Sequence, residues 1–165
     1  MEALKRAKHL LDKLLLVLSL TLLVFMVLVI LYQIFTRTFF SYSPAWTEEL
    51  ARLLFVWVSF LGIAYGFKEK LHIAVGLIVN KFSEKAQTLV DYIAKVLIIV
   101  FGAILIYFGT EFMILMSYST MAGLGISSSF LYAAIPVAGI FITINGIELL
   151  FVKGLHQDYD DASEG

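Results

Sequence analysis

The chain contains no cysteine, which removes disulfides, thiolate metal sites and cysteine nucleophiles together. Charge is scarce as well. Asp, Glu, Lys and Arg make up 15% of the residues, against roughly 25% in soluble domains. The net charge of −1 and the lack of a clustered basic patch give no footprint for nucleic acid. The three histidines, His9, His72 and His156, lie in polar flanks, whereas a haem-bearing anchor needs axial ligands inside its bundle. No phosphate loop, metal-ligand spacing or nucleophile motif is present. No catalytic residue, no metal and no cofactor are therefore expected.

Apolar residues take the place of charge. They form 61% of the 165 residues, above the roughly 45–50% of soluble domains, and the length suits one domain. Residues 1–13 are polar and basic, forming a flank before an uncharged run at 14–36. That run is long enough to cross a hydrocarbon core of roughly 30 Å as a helix. It exceeds the apolar region of a signal peptide, and Arg37-Thr38-Phe39-Phe40 offers no small-residue cleavage site, so it reads as a retained span. Tyr32, Phe35, Phe39, Phe40, Tyr42 and Trp46 then form an aromatic belt of the kind found at membrane interfaces.

The second span, at about 50–67, is the most patterned. Ser43 suits a cap, Pro44 the first turn, and Glu48 and Glu49 the positive end of the helix dipole. On a helix, Glu48, Arg52, Phe55, Ser59, Gly62 and Gly66 share one narrow band. Glu48 and Arg52 are spaced i,i+4, and Gly62 and Gly66 make a small-xxx-small pattern that lets another helix backbone come close in lipid. That helix belongs either to the same chain or to a partner. Residues 71–82 are too short and polar for a crossing. They carry His72, Gly76 and Asn80 on one side and read as a short amphipathic helix in the interface, with His72 and Lys81 at headgroup level.

A third span is expected at about 89–111, with Lys95 reaching to the headgroups and Gly102 and Gly109 marking a second packing face. Residues 117–129 read as a loop of small residues. The fourth span, at about 130–152, contains Pro136, which removes one backbone hydrogen bond and predicts a kink. Asn145, deep in this span, is better suited to bonding a neighbouring helix than a substrate. An acidic tail closes the chain at 153–165. Lysine and arginine gather in the N-terminal flank and in the 68–88 connection, which places both termini in the cytoplasm. The expected fold is an all-α integral membrane protein with four transmembrane helices and one short interfacial helix.

Several of these residues, in order and spacing, resemble the small membrane subunit of TRAP transporters, the tripartite ATP-independent periplasmic type. They are Gln33 and Arg37, then Pro44, Trp46-Thr47-Glu48-Glu49, Ala51-Arg52, Phe55, Trp57, Phe60-Leu61-Gly62 and His72-Ile73, with Tyr132-Ala133-Ala134-Ile135-Pro136-Val137 in the last span. The resemblance implies a four-helix scaffold, without ATP hydrolysis or a substrate site of its own, in a bacterial or archaeal cytoplasmic membrane. Its partners would be a large permease subunit carrying the substrate and sodium sites, a periplasmic binding protein delivering an organic acid such as a dicarboxylate or sialic acid, and membrane lipids. The candidate interface or structural residues are Arg37, Trp46, Glu48, Glu49, Arg52, Ser59, Gly62, Gly66, Gly102, Gly109 and Pro136. Two other classes stand beside this one: a membrane anchor of a respiratory enzyme, and a small autonomous transporter or channel.

Overall fold

The computed structural model describes the backbone of residues 2–79 and 84–151, and the side chains of 10–66, 86 and 88–150. Helix α1 runs Glu2–Phe40, α2 Ala45–Val79 and α3 Glu84–Leu115. A 3-10 turn at Met116–Tyr118 leads into strands β1, Thr120–Met121, and β2, Ile126–Ser127. A short helix α4, Ser129–Tyr132, and α5, Ala134–Phe151, complete the described chain. Four segments are long and apolar enough to cross a membrane: Leu10–Phe40, Ala45–Gly66, Thr88–Tyr118 and Ser129–Leu150. An all-α integral membrane protein is what the composition demanded, because inside lipid a helix satisfies its own backbone polar groups.

The helices form a row. α1 lies along α2, α2 along α5 and α5 along α3, and the α3–α5 contact is the most extensive. Among the described residues α2 barely touches α3, and α1 has no comparable contact with α3 or α5. The row α1–α2–α5–α3 therefore leaves long apolar surfaces bare. Leu28, Phe55, Leu97 and Phe108 are each more than half exposed. On a soluble protein such surface would mark an aggregation or binding site; on a membrane protein it suits acyl chains or the helices of another membrane subunit. The small buried centre consists of Ala64 from α2, Ile98 from α3, and Ala138, Ile142 and Leu149 from α5.

Two local features set the turn between α1 and α2. Ser41 takes a left-handed φ of 50° and closes α1. Pro44 is buried, and its carbonyl accepts both the Thr47 amide, at 3.1 Å, and the Thr47 hydroxyl, at 2.7 Å. Thr47 is fully buried, so this turn is fixed from within.

Two expectations need correction. The separate helix at 71–82 does not exist as an element of its own, because α2 continues unbroken from Ala45 through Lys68-Glu69-Lys70 to Val79. A helix already nucleated gains a hydrogen bond with each added residue, and no proline intervenes to stop it. The side chain of His72 and the whole of Lys81 lie outside the described residues. The 117–129 segment is more ordered than a loop: β1 and β2 pair antiparallel with Thr120 opposite Ser127 and Met121 opposite Ile126. Gly125 supplies the positive φ of 68° in its turn, which glycine adopts without a Cβ penalty.

The fourth span is interrupted one turn before Pro136. The helix assignment breaks at Ala133, whose φ of −58° and ψ of −23° remain helical. Pro136 has no amide hydrogen to donate to Tyr132, four residues back. The missing bond divides α4 from α5.

Candidate functional site: two helix faces

The inner face of α3 is closed by α5, and glycines make the closure possible. A Cβ on Gly102 would meet the backbone nitrogen of Thr143 at 2.9 Å and the Gly139 carbonyl at 3.1 Å. A Cβ on Gly139 would in turn meet the Gly102 carbonyl at 2.9 Å. Further out, one on Gly109 would meet the Pro136 ring at 3.0 Å, and further in, one on Gly146 would meet Ile99 at 2.8 Å. Van der Waals contact over a long backbone approach is what holds helices together in lipid. Gly102, Gly109 and Pro136 thus serve packing within the chain. Gly139 and Gly146 escaped the sequence reading, although their seven-residue spacing repeats that of Gly102 and Gly109.

The same inner face carries charge at its other end. Lys95 Nζ lies 2.8 Å from Asp91 Oδ2, with side chains only 6% and 9% exposed. Lys95 was expected to reach the headgroups; instead it is buried in an ion pair. Asp91 stands one turn before Lys95 on the same face of α3 and is itself buried, so Lys95 meets a counter-charge inside the protein. The other Asp91 oxygen, Oδ1, is buried without a hydrogen-bond partner.

α2 presents the opposite case. A Cβ on Gly62 or on Gly66 would meet nothing within 4 Å, so this small-xxx-small pair is not used by any described helix of the chain. Glu48 and Arg52 are exposed, and among the described residues neither forms an ion pair with the other, despite their spacing. Phe55 is 60% exposed between them and the glycines, and Ser59 is half-buried. A shallow groove of about 210 Å³ runs beside Gly62, walled by Leu16, Leu20, Leu23, Val58 and Tyr65. Arg37, at the end of α1, is likewise exposed and unpaired among the described residues.

Glu49 leaves its expected cluster. Its Oε2 accepts the Leu124 amide of the hairpin at 2.9 Å. Residues 48 and 49 point about 100° apart on a helix, so one reaches the hairpin while the other stays outside. Gly123 admits the hairpin tip against the start of α2, since a Cβ there would lie 2.7 Å from the Ala45 carbonyl carbon. Trp46 stacks on Tyr32 at 5.8 Å between centroids, tying α2 back to α1. Trp57 donates its indole N–H to the Phe130 carbonyl at 2.9 Å and straps α2 to α4. Asn145 donates to the Ala64 carbonyl of α2 at 3.4 Å, the interhelical bond its depth suggested.

This arrangement offers packing surfaces and structural polar bonds. Among the described residues, no three His, Asp or Glu side chains stand together as metal ligands would.

The chain matches the family described as "Tripartite ATP-independent periplasmic transporters, DctQ component" over residues 26–153. It is 32% identical to a Haemophilus influenzae protein named "Putative TRAP transporter small permease protein", over 97% of this chain and 93% of the relative. It is 30% identical to the Vibrio cholerae "Sialic acid TRAP transporter small permease protein SiaQ", over 74% of this chain and 71% of that one. A third relative, the Haemophilus influenzae "Sialic acid TRAP transporter permease protein SiaT", is 31% identical over 73% of this chain, yet the match spans only 20% of the relative. With a family match covering most of its length and four membrane-spanning segments, the chain belongs to the DctQ component family of tripartite ATP-independent periplasmic transporters, as a multi-pass transporter component of the bacterial inner membrane and not an enzyme.

Proposed function

We propose that this protein is the small permease subunit of a sodium-coupled, binding-protein-dependent transporter for organic acids, and that it acts as a scaffold for a large permease subunit. In this reading the large subunit holds the substrate and sodium sites, and both termini of the small one face the cytoplasm. The observation that carries the reading is the open α2 face. A Cβ on Gly62 or Gly66 would meet nothing within 4 Å, and Glu48 and Arg52 stand exposed on the same band. In lipid, bare glycine on a helix forgoes the packing that such residues otherwise allow, and an exposed arginine one or two turns inside a span calls for a counter-charge. A helix of the large subunit supplies both. The long Haemophilus relative supports the pairing, since a region similar to this chain makes up only a fifth of a single permease chain.

The scaffold role also fits the polar inventory. Asn145 is bonded to α2 and Lys95 to Asp91, so these two buried polar side chains serve structure. Discontinuous helices paired across a repeat, the usual mark of a substrate site, are not found among the described residues; the single interruption lies at Ala133. The binding protein would meet this subunit, if at all, at the hairpin and the α1–α2 turn.

Proteoliposomes test the reading. Vesicles holding this chain together with its large permease should accumulate organic acid when given a sodium gradient and the binding protein. Vesicles holding this chain alone should match empty ones. Uptake by the small subunit alone would replace the scaffold reading with an autonomous carrier.

A further inference from the structure

The far edge of the row carries a carboxylate with no base near it in sequence. Glu111 is exposed on α3 and lines a groove of about 450 Å³ with Ile104, Phe108, Gly109, Leu115 and Ile135. From residue 96 to residue 152 the sequence has no lysine, arginine or histidine, and among the described residues Glu111 makes no ion pair.

Its depth can be placed in two ways that agree. Ala103 stands midway along the span Thr88–Tyr118, and the neighbouring Gly102 packs on Gly139, which is central in Ser129–Leu150. Glu111 follows Ala103 by eight residues, or about 12 Å along a helix, against a half-thickness of about 15 Å for the hydrocarbon core. The carboxylate therefore stands at the boundary between acyl chains and headgroups, on the leaflet nearer the hairpin. The groove beneath it is apolar.

A bare carboxylate at that depth is costly unless a cation meets it. The groove is lined almost wholly by apolar side chains, and it lies on α3, the helix at the end of the row away from α1. We propose that it binds a phospholipid whose headgroup carries a primary ammonium group, as phosphatidylethanolamine does. One acyl chain fills the groove over Ile104 and Phe108, and the ammonium donates to the Glu111 carboxylate. The site selects for the headgroup through charge and hydrogen bonding, while the groove itself accepts any acyl chain. It is independent of the α2 face and of the scaffold reading.

The test uses the full chain, purified in detergent and stripped of lipid. Phosphatidylethanolamine and phosphatidylglycerol with identical acyl chains are added in equal amounts, and adducts are counted by native mass spectrometry. The ethanolamine lipid should exceed the glycerol lipid by about fivefold, or about 1 kcal/mol, the upper range of an exposed ion pair. Glu111→Gln, at an exposed position that does not burden the fold, should bring the ratio to about one. Ile104→Trp, which fills the groove, should lower both adducts together and leave their ratio unchanged. An equal ratio in the wild type, or an unchanged preference in Glu111→Gln, would overturn the proposal. So would a Glu111→Gln variant that loses the large permease from the purified complex while its lipid preference persists, since the carboxylate would then be a protein contact.

Discussion

α2 and α3 carry the same signature and use it in opposite ways. Each has an acid and a base spaced i,i+4, Glu48 with Arg52 and Asp91 with Lys95, and each has a pair of glycines deeper in the span. On α3 the ion pair closes at 2.8 Å, and Gly102 and Gly109 lie against α5. On α2 the charges stand apart in the open, and nothing comes within 4 Å of a Cβ placed on Gly62 or Gly66. The difference is whether another helix of the chain covers the face. A motif for close packing says that a helix expects a neighbour; it does not say whose.

If that contrast is sound, substitutions on the two helices should separate cleanly. The largest effect is expected at the buried ion pair. Lys95→Ala leaves Asp91 buried with both oxygens unpaired, and breaking a buried pair in this way costs about 3–5 kcal/mol. Thermal or denaturant unfolding of the purified chain in detergent measures it. The double variant Asp91→Leu with Lys95→Met should lose less than Lys95→Ala alone, because the stranded Asp91 charge is gone.

Next comes the glycine seam. Gly102→Leu forces side-chain atoms into the Thr143 and Gly139 backbone, and overpacking of this kind costs about 1–3 kcal/mol. The same unfolding measurement should register it. A chain that accepts leucine at 102 without loss would mean that α3 and α5 are less tightly apposed than described here.

How much of this was legible beforehand follows from what hydropathy can report. The spans and the all-α class came from apolar length alone, and Asn145 was read correctly because a strong polar group deep in lipid needs a helix partner. Hydropathy does not tell which side of a span faces protein, since acyl chains and leucines are equally apolar. Gly62 and Gly102 were therefore indistinguishable until α5 was seen against only one of them. Lys95 was misplaced for a related reason: a lysine near a span end suggests snorkelling, and the burial of Asp91 and Lys95 depends on packing that local sequence does not report. The hairpin stayed hidden because strands of two residues are too short to show alternation. Trp57 belongs to the family resemblance, but nothing local names its partner, the Phe130 carbonyl 73 residues away.

The smallest effects on the chain itself belong to α2. Arg52→Ala should change the unfolding of the isolated subunit by about 0–1 kcal/mol, the range of an exposed charge. An effect as large as that of Lys95→Ala would mean that Arg52 is held within the chain and would dissolve the contrast.

Gly62→Leu tests the central claim most directly, because the two faces must then diverge in a single variant. Stability of the subunit alone and recovery of the large permease with the tagged subunit are measured on the same preparation, with wild type and Gly102→Leu beside it. Gly62→Leu should unfold within about 0.5 kcal/mol of wild type, as surface substitutions do, yet recover much less of the large permease. Wild-type recovery of the large permease by Gly62→Leu would contradict the central claim and leave the open glycine face to lipid.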